Sequence, residues 1–234
     1  MTRRHSLWFG VALLLALTVL FPLRLAIAMM DASGSLFTAR AAQGSIWDGV
    51  LRDISIDGVS LGDFSAELSP LALLTGKAAI NLRYLASPET TRGTLVATFG
   101  AFGVDDVTAK LALPGAFRPL PVQTIELREA NVRFAGNRCI AAGGQVRVVL
   151  SGSIGGYVLG QELVGSPRCD GDVLSIALAS GSAMERVTMR LVPDGQYTAK
   201  VIIKATDSAA AAKLSSAGFS EGAAGHVMEI SGKF

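Results

Sequence analysis

The chain is poor in the side chains that carry most enzyme chemistry. It has two histidines, His5 and His226, and two cysteines, Cys139 and Cys169, in 234 residues. A Ser–His or Cys–His nucleophile pair in the body of the chain would have His226 alone to draw on. Metal sites need His or Cys in close pairs, and neither type forms one. No two of the 26 glycines are spaced as G-x-G, so the dinucleotide fingerprint is missing. Gly76-Lys77 and Gly232-Lys233 lack both the upstream glycine and the following serine or threonine of a phosphate loop. Nor is there an excess of charge of one sign, with 21 basic and 19 acidic residues. Arg3, Arg4 and Arg24 precede every acidic residue, which leaves 18 basic against 19 acidic from Asp31 onward. That balance is not the basic footprint of a nucleic-acid binder.

The motifs that remain are weak. G-x-S-x-G occurs at Gly58–Gly62 and at Gly218–Gly222. A nucleophile elbow needs a strand before the serine and a helix after it. No helical pattern follows Ser60, and a helix precedes Ser220, so both read as turns. Asp105 and Asp106 are adjacent carboxylates that would point to opposite faces of a strand, and they read as a solvated turn. His226 reads as a polar residue in the turn before the last strand. The chain is therefore expected to be non-enzymatic, with no cofactor, no metal and no small-molecule substrate.

What is abundant is apolar surface, at half of all residues. Leu7 to Leu23 is 17 residues without a charge, about 26 Å long as a helix against a bilayer core of about 30 Å. Arg24 interrupts the run and can snorkel to headgroups, and Leu25 to Met30 resume it. Arg3, Arg4 and His5 precede it and Asp31 follows, which orients the N-terminus to the cytoplasm. The segment Ala26-Ile27-Ala28 also fits a signal-peptidase site, but the apolar run is longer than a signal peptide requires. The reading is an uncleaved anchor: a tail over 1–6, a membrane span over 7–30 and an exported domain over 31–234. In that oxidising compartment Cys139 and Cys169 are expected to form a disulfide rather than remain two separate thiols.

From Ala39 onward the pattern is period two, broken by glycine and proline. Ile54–Asp57, Ile80–Tyr84, Thr94–Phe99, Val107–Leu111, Val146–Val148, Val187–Leu191, Val201–Ala205 and Val227–Ser231 are strand candidates. Alternation over short runs predicts antiparallel strands with one face buried, and Pro193-Asp194-Gly195 predicts a hairpin. Two helices are expected, one over Ser69–Gly76 with serine before proline, one over Asp207–Gly218 with aspartate as its cap. The fold class is mainly β, an antiparallel sandwich or curved sheet with one or two short helices. Crossover helices of a parallel α/β fold are missing.

One stretch is more specific. In Gly44-Ser45-Ile46-Trp47-Asp48-Gly49, two glycines flank a short predicted strand whose tryptophan would bury its ring. Downstream come Phe64 and Pro70-Leu71-Ala72-Leu73-Leu74-Thr75-Gly76. This arrangement resembles the type II secretion system protein N family. The residues that carry the likeness are Gly44, Ile46, Trp47, Gly49, Pro70, Leu73, Leu74 and Gly76, with Phe64 departing from an expected tryptophan. The resemblance implies an inner-membrane component of the apparatus that exports folded periplasmic proteins across the outer membrane. Its partners would be other inner-membrane components of that machine, met through the membrane helix or an open sheet edge. A second expectation is a periplasmic lipid-handling module, which would need an open apolar groove along the sheet.

Overall fold

Gly44 shows how these residues become strands and turns. It has φ +84°, and a Cβ there would stand 2.5 Å from the Asp48 carbonyl oxygen, so glycine closes the first hairpin. A computed structural model of the chain describes Trp8 and residues 22–24, 37–56, 59–112, 120–154 and 156–233. The span predicted over 7–30, its alternative cleavage site and the 1–6 tail lie almost wholly outside these residues. Among the described residues no helix is long and apolar enough to cross a membrane.

The chain divides near Pro88 into two compact units, residues 1–88 and 89–234. In the first, β1 (Phe37–Gly44), β2 (Gly49–Ile56), β3 (Val59–Leu68) and β4 (Ala78–Tyr84) pair in sequence order as an antiparallel sheet. Helix α1 (Pro70–Leu74) joins β3 to β4. Leu51, Ile54, Phe64 and Ala66 form the buried core together with Leu23, and Phe64 meets the Tyr84 ring at 5.3 Å.

The second unit is a longer meander. It runs through β5 (Arg92–Thr98), β6 (Ala101–Ala112), β7 (Val122–Ala135), β8 (Arg138–Leu150), the two-residue strands β9 (Ser153–Ile154) and β10 (Tyr157–Val158), and β11 (Glu162–Asp170). It then continues through β12 (Val173–Ser180), β13 (Glu185–Leu191), β14 (Gln196–Ile203), helix α2 (Ser208–Ser216), β15 (Ser220–Gly222) and β16 (Gly225–Lys233). Sheet neighbours are consecutive except that β9 and β10 form their own hairpin and β16 lies between β14 and β15. Each unit is thus built on a single antiparallel sheet, and the sandwich alternative is set aside.

Register explains the core. Val146, Gly165, Leu178, Val187, Val201 and Met228 stand opposite one another across five strand pairs, a continuous row on one face. One residue further along β13 and β14 the side chains are Thr188 and Lys200, on the opposite face. Lys110–Glu126 and Arg147–Glu162, each at 3.1 Å, continue that face as exposed or half-buried ion pairs; such pairs add little stability. Period-two patterning therefore segregates apolar from charged side chains without a second sheet.

Two devices cover part of the apolar face. The Asp207 carboxylate accepts from the Ala210 N–H at 2.7 Å to start α2, which buries Ala210 and a fully enclosed Leu214, the latter in the core cluster that holds Val201 and Ile203. The 151–160 segment inserts Ile154 and Leu159. Glu185, only 5 % exposed, fastens that segment by accepting from the Gly160 N–H at 3.1 Å and the Ser182 hydroxyl at 3.3 Å. The proton of Tyr157 in the same segment is held more tightly than usual, first by burial and then by Glu185 and Asp207. Cys139 and Cys169 are bonded, their Cα atoms 5.4 Å apart. Pairing of β8 with β11 runs from Glu162–Val149 to Gly165–Val146. Pro167 has no N–H with which to extend a ladder, and the cystine ties the far ends of the two strands.

Two sequence expectations change. Asp105-Asp106 is not a turn: both lie inside β6, where Asp106 takes φ +49° as a bulge. Glu129 at φ +48° and Gly144 at φ +93° continue bulged backbone into β7 and β8, and bulges bend a strand without ending it. His226 lies inside β16 rather than before it, and it is buried.

The enclosure of Leu214 gives a direct check. Leu214→Ala should destabilise the protein by about 2–5 kcal/mol and lower the calorimetric midpoint by several degrees. Leu74→Ala, at a position 84 % exposed, should leave it within about 0.5 kcal/mol of the parent.

Candidate interaction surface

Ser45 organises the turn that carries Trp47. Its N–H donates to the Asp48 carbonyl at 3.2 Å, and its hydroxyl oxygen accepts from the Trp47 and Asp48 N–H groups, both at 3.3 Å. The segment predicted as a short strand between glycines is therefore a side-chain-stabilised turn between β1 and β2. It sends Ile46 onto the core of the first unit and leaves Trp47 half-buried. The full burial expected for that ring is corrected: in the turn it is buried only in part.

Gly49 is needed for a different reason. A Cβ there would stand 2.5 Å from Leu23 Cδ2 and 2.7 Å from the Ser45 carbonyl oxygen. Leu23, part of the N-terminal apolar run, is 7 % exposed and belongs to the core of this unit. Pro22 beside it bridges to Ser45. The end of the apolar run is thus seated on the Gly44–Gly49 turn.

Helix α1 sits next to the same turn. The Leu68 N–H donates to the Ile46 carbonyl at 2.9 Å, and the Ser69 N–H to Ala79 at 2.8 Å. Ser69 caps the helix through Ala72 N–H at 3.3 Å, with Pro70 at its first position. Gly76 at φ +74° ends it in the left-handed conformation. None of its residues is buried: Leu71 is 75 %, Leu73 41 % and Leu74 84 % exposed. The structure therefore brings Gly44, Ile46, Trp47, Gly49, Pro70, Leu73, Leu74 and Gly76 into one region of the first unit. Ser45 and Leu71 belong with them on the surface and Leu23 beneath it, and sequence reading missed all three parts. The short hydrophobic run before Gly76 was the one available signal for Leu71.

A bulge on the same sheet holds the polar contacts of this unit. Asp53 at φ +50° has its N–H bonded to the Asp63 carboxylate at 2.8 Å. Arg52 donates to the same carboxylate at 2.7 Å, and it holds the Asp63 pKa below the usual carboxylate range, with the Asp53 N–H contributing next. A depressed pKa contributes stability above the unfolded value and loses it as pH falls through the folded one. Exposure and solvent screening keep that contribution small.

The other sequence candidates are occupied by structural contacts. The Ser60 hydroxyl donates to Asp53 at 2.8 Å, and the Ser220 hydroxyl to the Val227 carbonyl at 3.2 Å. Among the described residues no group of His, Cys, Asp and Glu is arranged to hold a metal. A cleft in the second unit is lined by Asp105, Asp106, Glu129, Asn131, Arg133 and Ala141; Arg133 closes on Asp105 through Nε at 3.1 Å.

The family model described as type II secretion system (T2SS), protein N, matches residues 36–227. The chain belongs to that family. It is also 26 % identical over 215 residues to a protein named type II secretion system protein N from Vibrio cholerae, covering 86 % of this chain and 84 % of the relative. No solved structure matches the chain. The matched span includes both the Gly44–Gly49 turn and α1 of this protein N family member.

Gly49→Ala tests the seat of Leu23. The added methyl meets a side chain and a backbone oxygen together, so the variant should lose about 1–3 kcal/mol. Adding Leu23→Ala should relieve the side-chain half of the clash and make the two losses less than additive. Thermal unfolding of the detergent-solubilised full chain followed by circular dichroism measures both.

Proposed function

We propose that this chain is a non-catalytic inner-membrane component of the type II secretion system. It takes part in moving folded periplasmic proteins across the outer membrane through contacts with other components of the machine. The observation that carries the reading is the family match over residues 36–227. The charge-free residues 7–21 behind Arg3 and Arg4, ahead of the core residue Leu23, support a single span with the N-terminus in the cytoplasm and both β units in the periplasm. A cystine between Cys139 and Cys169 suits that compartment.

The work assigned to the protein is binding. Antiparallel sheets with charged outer faces offer surface rather than a reaction centre, and α1 exposes Leu71, Leu73 and Leu74. The alternative of a lipid-handling module gains no support. In the second unit α2 and the 151–160 segment cover part of the apolar face, and the Asp105–Arg133 cleft is lined mainly by charged and polar side chains.

Crosslinking the full chain in native membranes and identifying the adducts by mass spectrometry checks the reading. Adducts with other inner-membrane secretion components are expected, on a protein whose N-terminal sequence starts at Met1 or Thr2. A mature protein starting at Met29, or adducts confined to lipid-transport proteins, would contradict it.

A further inference from the structure

The first unit has an apolar surface whose occupant is indicated by its neighbours. Leu71 and Leu74 stand in solvent at 75 % and 84 % exposure on a five-residue helix that buries nothing. Water is an unfavourable medium for such a group, and exposed leucines gathered on one turn mark a contact site. The Leu68–Ile46 hydrogen bond sets this helix beside the Trp47 turn. Leu23 and Pro22 are seated on that turn. Whatever medium holds the preceding apolar residues therefore begins next to Trp47 and α1.

Length strengthens the argument. With Leu23 in the core of this unit, the charge-free residues left for a span are 7–21. Fifteen residues would measure about 22 Å as a helix, short of a hydrocarbon core of about 30 Å. A short span thins the bilayer or draws its flanks toward it, which here pulls the first unit onto the membrane. Half-buried tryptophans favour that interface. Arg24 and Lys77, both exposed, supply cations for anionic headgroups, with Asp48 the one acidic residue of the turn.

We propose that the Trp47 turn and helix α1 rest on the periplasmic face of the bilayer, with the Leu71 and Leu74 side chains inserted at the headgroup–acyl boundary. The partner is a lipid surface carrying anionic headgroups, and the unit is a second, interfacial attachment beside the span. This deepens the anchoring reading above and rests on it. Specificity is modest, because the contact is apolar area plus two cations and not a pocket.

The experiment uses the full chain with Trp8→Phe, Trp47→Phe and Leu74→Trp, so that one tryptophan reports from α1. The variant is reconstituted into vesicles of phosphatidylethanolamine and phosphatidylglycerol doped with phospholipid brominated near the headgroup end of its acyl chains. Emission should shift to the blue, and bromine should reduce it about twofold, as expected for a tryptophan at the interface. Adding Leu71→Glu should abolish most of the quenching. Red-shifted, unquenched emission overturns the proposal, and so does a blue shift without quenching, which would place a second copy or another protein over α1. Alkaline carbonate extraction of the same protein separates the two readings. A retained but unquenched variant contradicts interfacial docking alone, whereas quenching of an extractable variant upholds docking and contradicts the span.

Discussion

The contact of Leu23 with the empty side of Gly49 ties the chain's most apolar segment to its first sheet. It needs a glycine on β2, since any Cβ would displace both Leu23 and the Ser45 carbonyl. It also needs the tight turn that Ser45 builds from two backbone N–H groups. From that turn follow the placement of Ile46 against the core, the partial burial of Trp47 and the hydrogen bond that brings up Leu68 and then α1. A segment that sequence alone presents as a leader or an anchor is, at its end, part of the core of the folded unit.

The remainder of the protein follows a simpler logic. Nearly every strand pairs with the one before it, so closure needs short loops and the entropy lost in closing them is modest. One face of the second sheet is apolar, and a helix and one short hairpin pack over the part of it that holds Leu214, Ile154 and Leu159. The buried Glu185 carboxylate would be costly there without partners, and the Gly160 N–H and Ser182 hydroxyl satisfy it. The cystine acts where Pro167 leaves β8 and β11 without a continuing ladder.

Much of this was legible in the residues. Alternation located β2, β4, β5, β6, β8, β13, β14 and β16 at least in part, because the side-chain period of a half-buried strand is two, but it passed over β1, β3, β7, β11 and β12. The Ser69-Pro70 and Asp207 signals located α1 and α2 because orphan N–H groups need a cap. Pro193-Asp194-Gly195 forms the expected turn, with the Gln196 N–H on Asp194 at 3.0 Å. Bulges were not legible, because Asp53, Asp106 and Glu129 adopt positive φ without being glycine, a choice imposed by neighbouring strands. Trp47 was read as a strand residue because glycines flank it, whereas Ser45 turns the chain there. The surface made by Leu71 and Leu74 was hidden for a similar reason: an apolar turn of helix looks the same in sequence whether it faces a core or solvent. Family membership rested on spacing that survived these errors, since Gly44, Gly49, Pro70 and Gly76 each meet a backbone requirement.

Hydrogen–deuterium exchange of the full chain in lipid nanodiscs, compared with its Leu23→Ala variant, tests the seating of the apolar segment most directly. The account predicts faster exchange at the amides of residues 45–51 and 64–68 in the variant, with residues 174–203 of the second unit unchanged. Unchanged exchange over 45–51 would show that Leu23 supports nothing in the first unit and would contradict the account.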